Sequence, residues 1–450
     1  MKTELLIIGG GPAGYYCALQ CARQGLKPVL VEKDALGGTG LRWGCLPVKY
    51  IMDRIRSCKS RPGFWNGGFT GSKPLEAEMG EEILADGRHT MEQVSRQMEE
   101  TLVAAGVTVL YGTPELMGPR LLKMEDREIA FDRLVLATGT EAFPPAGIVP
   151  DGDTIITHRE AVNLRKPPGS MVIIGGDVEG LEFASLFSEM GTRVTVLELM
   201  PRLLAGMDED LTTPLFQRLK ANGVIIHTGC QVTSAVAVET GMQVKTMDGV
   251  PYEGEIVMVA MARRPVLPDG LEKTGLALME GRIQVNDSCQ TAIPGIYCIG
   301  DLNGRMEMAH TAMQQGILLA DHLVRGTPVT WDYGPLPRAM FTLPQNGGAG
   351  LQEKELVEQG IPYEKSVVRW RETWRGAGQG DPDGMLKLLA GKDGRLLGVW
   401  MTGAEISEQV GHLGLLLERQ ITLEDLKRQL WVHPTLTEAL LLAALKLSRA

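Results

Sequence analysis

The sequence predicts an α/β fold of several domains, on three observations. A strand, a glycine turn, a helix and a second strand follow one another over Glu4–Glu32. The same run recurs over Met171–Glu198. From about Pro337 onward, strands and helices continue without any such glycine turn. At 450 residues the chain is too long for one core, and two to four domains are expected at roughly 100–200 residues each.

Leu5-Leu6-Ile7-Ile8 reads as a short buried strand and Gly9–Gly14 as the turn. Tyr15–Gln24 then reads as a helix and Pro28–Glu32 as the next strand. In the second copy these elements are Met171–Ile174, Gly175–Gly180, Leu181–Met190 and Arg193–Glu198. An acid lies 23 positions after the first turn glycine in both copies, Gly9 to Glu32 and Gly175 to Glu198. One G-x-G-x-x-G is weak evidence; two copies with strand, helix and acid in place point to two Rossmann-like dinucleotide-binding domains. Gly9 and Gly175 permit the tight turn, Gly11 lets backbone approach a pyrophosphate, and Gly14 and Gly180 let helix and strand pack closely. The free N–H groups of the helix start suit phosphate, and Glu32 and Glu198 suit a ribose hydroxyl.

Leu134–Gly139 reads as a strand running into a small-residue turn, and Gly295–Asp301 as another ending at an acid. Both fit a first nucleotide domain interrupted by the second. The expected division is 1–147 and 271–333 for the first, 148–270 for the second, and 334–450 for a C-terminal α+β domain ending in the apolar helix Leu436–Leu447.

Composition closes off other classes. Hydrophobic residues make up 44% and charged residues 22%, so disorder does not dominate. The net charge is −10 with no basic stripe, which argues against nucleic acid. Seven scattered cysteines form neither a disulfide framework nor a zinc-type cluster, so no metal site is expected and the chain reads as cytoplasmic. Leu5–Ala22 is uncharged, but its glycines suit a turn, so neither a membrane span nor a signal peptide is expected.

These pieces in order resemble the FAD-dependent pyridine nucleotide-disulfide oxidoreductases (class I), in particular their dihydrolipoamide dehydrogenase-like branch. Gly37 to Lys49 matches the family's redox-active segment, and Pro201–Leu211, Ala309–Gly316 and His433–Glu438 match further family segments. The resemblance implies FAD and NAD(H) as cofactors and a homodimer built on the C-terminal domain. It implies that Gly9, Gly11, Gly14, Glu32, Lys33, Gly38, Thr39, Thr138, Gly139, Asp301 and His310 bind FAD, and that Gly175, Gly180 and Glu198 bind NAD(H). It gives Lys49 and Glu182 as an ion pair near the flavin, and His433 and Glu438 as an acid–base dyad supplied across the dimer. Glu198 favours NADH, because an acid repels a 2′-phosphate.

Two departures bear on function. The family's redox disulfide joins two cysteines separated by four residues; here Cys45 remains and Gly40 stands at the other position. Cys58, thirteen residues along the same helix, is about 20 Å away at 1.5 Å per residue, beyond disulfide reach. Cys17 and Cys21 read as core packing. Cys45 alone can hold a mixed disulfide, cycle through a sulfenic acid, or stand idle; Gly40 is expected to open room beside it. Asp177 stands at the middle glycine of the second turn, where a like charge against diphosphate costs about 1–3 kcal/mol unless it rotates to solvent or binds a cation.

The leading reading is an FAD-dependent oxidoreductase carrying electrons from NADH to a small thiol or disulfide acceptor, or a lipoyl-type partner, through Cys45. The alternatives are a thiol-independent quinone reductase, diaphorase or transhydrogenase, and an FAD subunit that trades electrons with a protein partner. Ser57–Gly71 and Arg42-Trp43 are candidates for the entrance to the site.

Overall fold

The computed structural model describes residues 1–59, 75–379 and 384–447. Most of the Ser57–Gly71 candidate therefore lies outside the described residues. A seven-stranded sheet carries the first unit. Lys2–Ile8 pairs in parallel with Val29–Glu32 on one side and Arg127–Leu136 on the other, with Leu6 opposite both Val29 and Leu134. Ile296–Cys298 returns some 160 residues later to pair in parallel with Arg127–Leu136, placing Ile296 beside Leu134. The strands are near-continuous apolar runs because both sheet faces are covered. Helix α1 (Pro12–Arg23) buries Cys17 and Cys21 completely in one of those faces.

The polypeptide between these strands builds the second unit. Its five-stranded parallel sheet runs in the order 225–227, 193–197, 170–174, 256–259, 155–156. Helices α2 (Cys45–Lys59) and α3 (Ala77–Ala104) follow the first unit's redox segment. The short α4 (His158–Ala161), α5 (Val178–Glu189) and α6 (Glu209–Ala221) belong to the second unit, and α7 (Ala309–Arg325) packs back on α1. The third region is an antiparallel sheet of five strands between Arg338 and Gly403, covered by helices that include Ala439–Leu447. That outcome is the α+β region expected after Pro337.

Buried charge ties the regions together. Glu189 of α5 is fully buried and takes Lys59, at the end of α2, and Arg218 of α6 as partners. Lys387 of the third region is equally buried, 2.7 Å from Asp208 and 2.6 Å from Asp210 at the start of α6. Removing one member of such a group strands the others without water, at about 3–5 kcal/mol. Among the described residues, no helix is long and apolar enough to cross a membrane.

Candidate functional site

The two glycine turns are superimposable in their contacts. A Cβ on Gly9 would run into Ala137 O, and one on Gly175 into Ala260 O. Their φ values of +105° and +116° favour glycine in any case. A Cβ on Gly14 would strike Gly9 O, and one on Gly180 would strike Gly175 O. Gly10 N–H donates to Glu32 Oε2 at 2.7 Å; Gly176 N–H donates to Glu198 Oε2 at 2.6 Å. Each acid thus braces its own turn from the end of the next strand.

A cleft of about 1190 Å³ opens from the first turn. That exceeds the roughly 300–1,000 Å³ of a usual small-molecule site. Of the residues expected to bind FAD, Gly9, Gly11, Glu32, Lys33, Gly38, Thr39, Thr138, Gly139, Asp301 and His310 line it, while Gly14 packs beneath the turn. Gly175, Gly180 and Glu198 do not line it; the second turn reaches the cleft through Asp177, Val178 and Glu179. The N-termini of α1, α5 and α7 all face the cleft, and none carries a side-chain cap. Uncapped N–H groups and glycine positions with no room for a Cβ suit the diphosphate and flat ring system of a dinucleotide, so the residues present fit FAD.

Cys45 opens α2 and is exposed to this cleft. One turn on, Lys49 Nζ lies 2.8 Å from Glu182 Oε2, with both side chains largely buried. Glu182 Oε1 also accepts from Phe341 N at 2.8 Å, which fixes the carboxylate against the third region. Burial works to lower the Lys49 pKa, but Glu182 and then Cys45 outweigh it and leave it raised. At Cys45 burial dominates and pushes the thiol up, with Lys49 pulling the other way. Burial pushes Asp301 up to about 6, against the pull of Arg263.

Gly40 lines the same cleft as Cys45; a Cβ on it would sit 2.8 Å from Pro12 Cγ and 3.7 Å from Ala309 Cβ. Trp43 does line the cleft, with the Arg159 guanidinium 4.0 Å over its ring; Arg42 lies 5.4 Å from the same ring. His433 and Glu438 form a pair of their own, Nδ1 to Oε1 at 2.7 Å, but neither lines the Cys45 cleft of this chain. Half of the His433 side chain is exposed, beside the exposed ring of Trp374. Burial works to raise the Glu438 pKa, but Thr435 N–H and His433 outweigh it and hold it low.

Sequence reasoning missed Arg263, Glu179 and His158. Arg263 Nε donates to Thr140 Oγ1 at 2.9 Å, and its Nη1 lies 3.4 Å from Glu179 Oε2. Its only sequence signal was a basic pair, Arg263-Arg264, shortly after the buried strand Ile256–Val259. Among the described residues no cluster of His, Cys, Asp or Glu is placed to hold a metal ion.

Residues 3–316 match the pyridine nucleotide-disulphide oxidoreductase family, and residues 336–444 match its dimerisation domain. The chain belongs to this family. The dihydrolipoyl dehydrogenase of Halobacterium salinarum is 30% identical over 98% of this chain and 95% of that protein. That of Bacillus subtilis is 28% identical over 99% and 98%. LpdA of Mycobacterium tuberculosis superposes with a TM-score of 0.89 at 24% identity, covering 99% of each chain. The Cu(II) complex of the HOCl-induced flavoprotein disulfide reductase RclA from Escherichia coli does so at 0.90 and 22%, covering 99% of each. The chain is thus a dihydrolipoamide dehydrogenase-like pyridine nucleotide-disulphide oxidoreductase, with FAD and NAD(H) as its cofactors.

Proposed function

We propose that this oxidoreductase carries electrons from NADH to a small disulfide-type acceptor by way of a single thiol, Cys45. The observation that carries the reading is the placement of Cys45: it heads α2 and faces the cleft, with the Lys49–Glu182 pair one turn on. A helix start and the Lys49 ammonium both favour thiolate, the reactive form, against the burial that raises the Cys45 pKa.

In this reading Cys45 Sγ attacks one sulfur of the acceptor disulfide. A mixed disulfide forms on Cys45, and the displaced thiolate leaves with a proton. Releasing the second half and restoring Cys45 takes two electrons and a further proton. Bound FAD supplies that electron pair, drawn from NAD(H). The protein's share is to hold and time these groups. The first turn, Glu32 and Asp301 hold the cofactor, and Lys49 with Glu182 keeps fixed charge at the thiol. His433, kept in one orientation by Glu438, gives and takes protons. Because that pair lies away from the cleft of its own chain, it is assigned to the cleft of a second copy in a homodimer; the dimerisation-domain match supports this. Glu198 supports NADH over NADPH, and the reduced cysteines support a cytoplasmic protein.

The test is steady-state reduction of small disulfides, lipoamide included, by NADH. Cys45→Ser is expected to lower kcat at least about a hundredfold, the scale of losing an activated nucleophile. Unchanged turnover in that variant would sink the thiol route. One observation favours a second reading, thiol-independent quinone reduction: Gly40 stands where the family has its second redox cysteine, so Cys45 has no partner there for an internal disulfide. Quinone reduction by NADH that survives both Cys45→Ser and His433→Gln would select it.

A further inference from the structure

The charged cluster of Glu179, His158 and Arg263 takes no part in the scheme above, yet all three side chains line the cleft. Glu179 sits in the first turn of α5, on the second nucleotide unit. His158 Nδ1 lies 3.4 Å from its carboxylate, off line for a hydrogen bond and with no other partner; the His158 side chain is 6% exposed. Arg263 Nη1 lies 3.4 Å from the other oxygen. From there Arg263 crosses to the first unit. Its Nη2 donates to Thr140 O at 3.0 Å and to Thr39 Oγ1 at 3.4 Å. Thr39 O in turn accepts Gly44 N–H at 2.7 Å, closing the turn that delivers Cys45 to the start of α2. A contiguous path of polar contacts thus runs from Glu179 through Arg263 and Thr39 to the residue before the thiol.

We propose that Glu179 is a positioning residue for Cys45 that acts through Arg263: it limits how much of that cation's field reaches the thiol. The idea rests on the reading of Cys45 as the redox thiol. Arg263 is bonded at Thr140 and Thr39 whether or not Glu179 is charged, so neutralising Glu179 leaves the guanidinium in place and uncompensated. The other charged groups that bear on Cys45 are Lys49 on its own helix, Glu182 on α5 and Asp301 after the strand Ile296–Cys298. Arg263 and Lys49 favour the thiolate; Glu182 and Asp301 oppose it. Glu179 therefore acts on Cys45 by cancelling one of two favourable cations.

The experiment is alkylation of the FAD-bound protein by iodoacetamide from pH 6 to 9.5, with the Cys45 peptide followed by mass. Thiolate character is read without turnover, so failure here is separable from failure of the functional reading. Glu179→Gln is expected to raise the Cys45 rate at pH 7.5 by about three- to tenfold, half to one pK unit. Arg263→Gln is expected to lower it by a similar factor, and the double variant to track Arg263→Gln. A purely structural role would move both single variants the same way. That outcome, or a Glu179→Gln rate within twofold of the parent, overturns the proposal. Glu179→Asp is the conservative control, expected to keep the slow parental rate; a Glu179→Asp rate as fast as Glu179→Gln also counts against it.

Discussion

Gly11 opens α1 and Asp177 opens α5, and between them lies the main difference between two otherwise matched turns. Their backbones are alike: φ and ψ are −68° and −177° at Gly11, −93° and −170° at Asp177, both extended and open to any residue. A Cβ on Gly11 would find nothing nearer than Gly38 Cα at 3.8 Å. The outer glycines are different, because a Cβ on Gly9, Gly14, Gly175 or Gly180 meets a backbone carbonyl. Two requirements that look alike in a fingerprint are thus physically distinct. The outer glycines are demanded by the fold, the middle one only by what approaches the turn. The Asp177 side chain is accordingly exposed at the cleft and caps nothing, and its cost falls on the ligand alone.

The largest test of that division is to place a methyl on the outer glycines. In Gly14→Ala the first unit must move a carbonyl, and about 3 kcal/mol or more of stability is expected to go with the flavin. In Gly180→Ala the same insult falls on the second unit. That protein is expected to keep its flavin yet lose reduction by NADH. Flavin absorbance after gel filtration, thermal melts and an anaerobic NADH titration check both. If Gly14→Ala kept its flavin with an unshifted melting temperature, the outer glycines would not be the fold's requirement.

A smaller effect is expected from making the turns identical. Asp177→Gly removes one negative charge from the approach of a diphosphate. The KM for NADH is expected to fall about tenfold, with kcat and flavin content unchanged, from a like-charge cost of about 1–3 kcal/mol. An unchanged KM would mean that Asp177 stays in water when nucleotide binds.

The strength of the outer pattern explains why the fold was legible from sequence. Buried parallel strands leave apolar runs, tight turns leave glycines at fixed offsets, and bracing acids follow at a fixed interval. Helix starts were read too late, at Tyr15 and Leu181 rather than Pro12 and Val178, because the glycines themselves belong to the first turns. Site residues on distant segments, such as Lys49 and Glu182, were legible only through the family resemblance. Arg263, His158 and Glu179 come from three separate elements. Nothing in local periodicity says that a basic pair after one strand will span the cleft to Thr39. The neighbours of Gly40 were hidden for the same reason, since Pro12 and Ala309 lie on helices almost 300 residues apart.

The smallest expected effect concerns how the two units end on opposite charges beside the cleft. The first unit's late strand, Ile296–Cys298, runs on to Asp301; the second unit's strand, Ile256–Val259, runs on to Arg263. Arg263 pulls the Asp301 pKa down, but burial pulls harder and leaves it at about 6. An acid whose folded pKa is raised binds its proton more tightly in the folded state. Its contribution to stability is therefore fully present below the ordinary carboxylate value of about 3.9 and is lost as pH rises through about 6. In flavin-free protein, Asp301→Asn removes that loss. The stability gap between Asp301→Asn and parent is expected to widen in favour of the variant by about 1–2 kcal/mol between pH 4.5 and 7.5, read from urea melts. Arg263→Gln is expected to enlarge the parental loss, because a cation that offsets burial is gone. A gap that stays flat with pH would show that Arg263 already balances Asp301 in full, and that the two units neutralise each other at the cleft before any cofactor arrives.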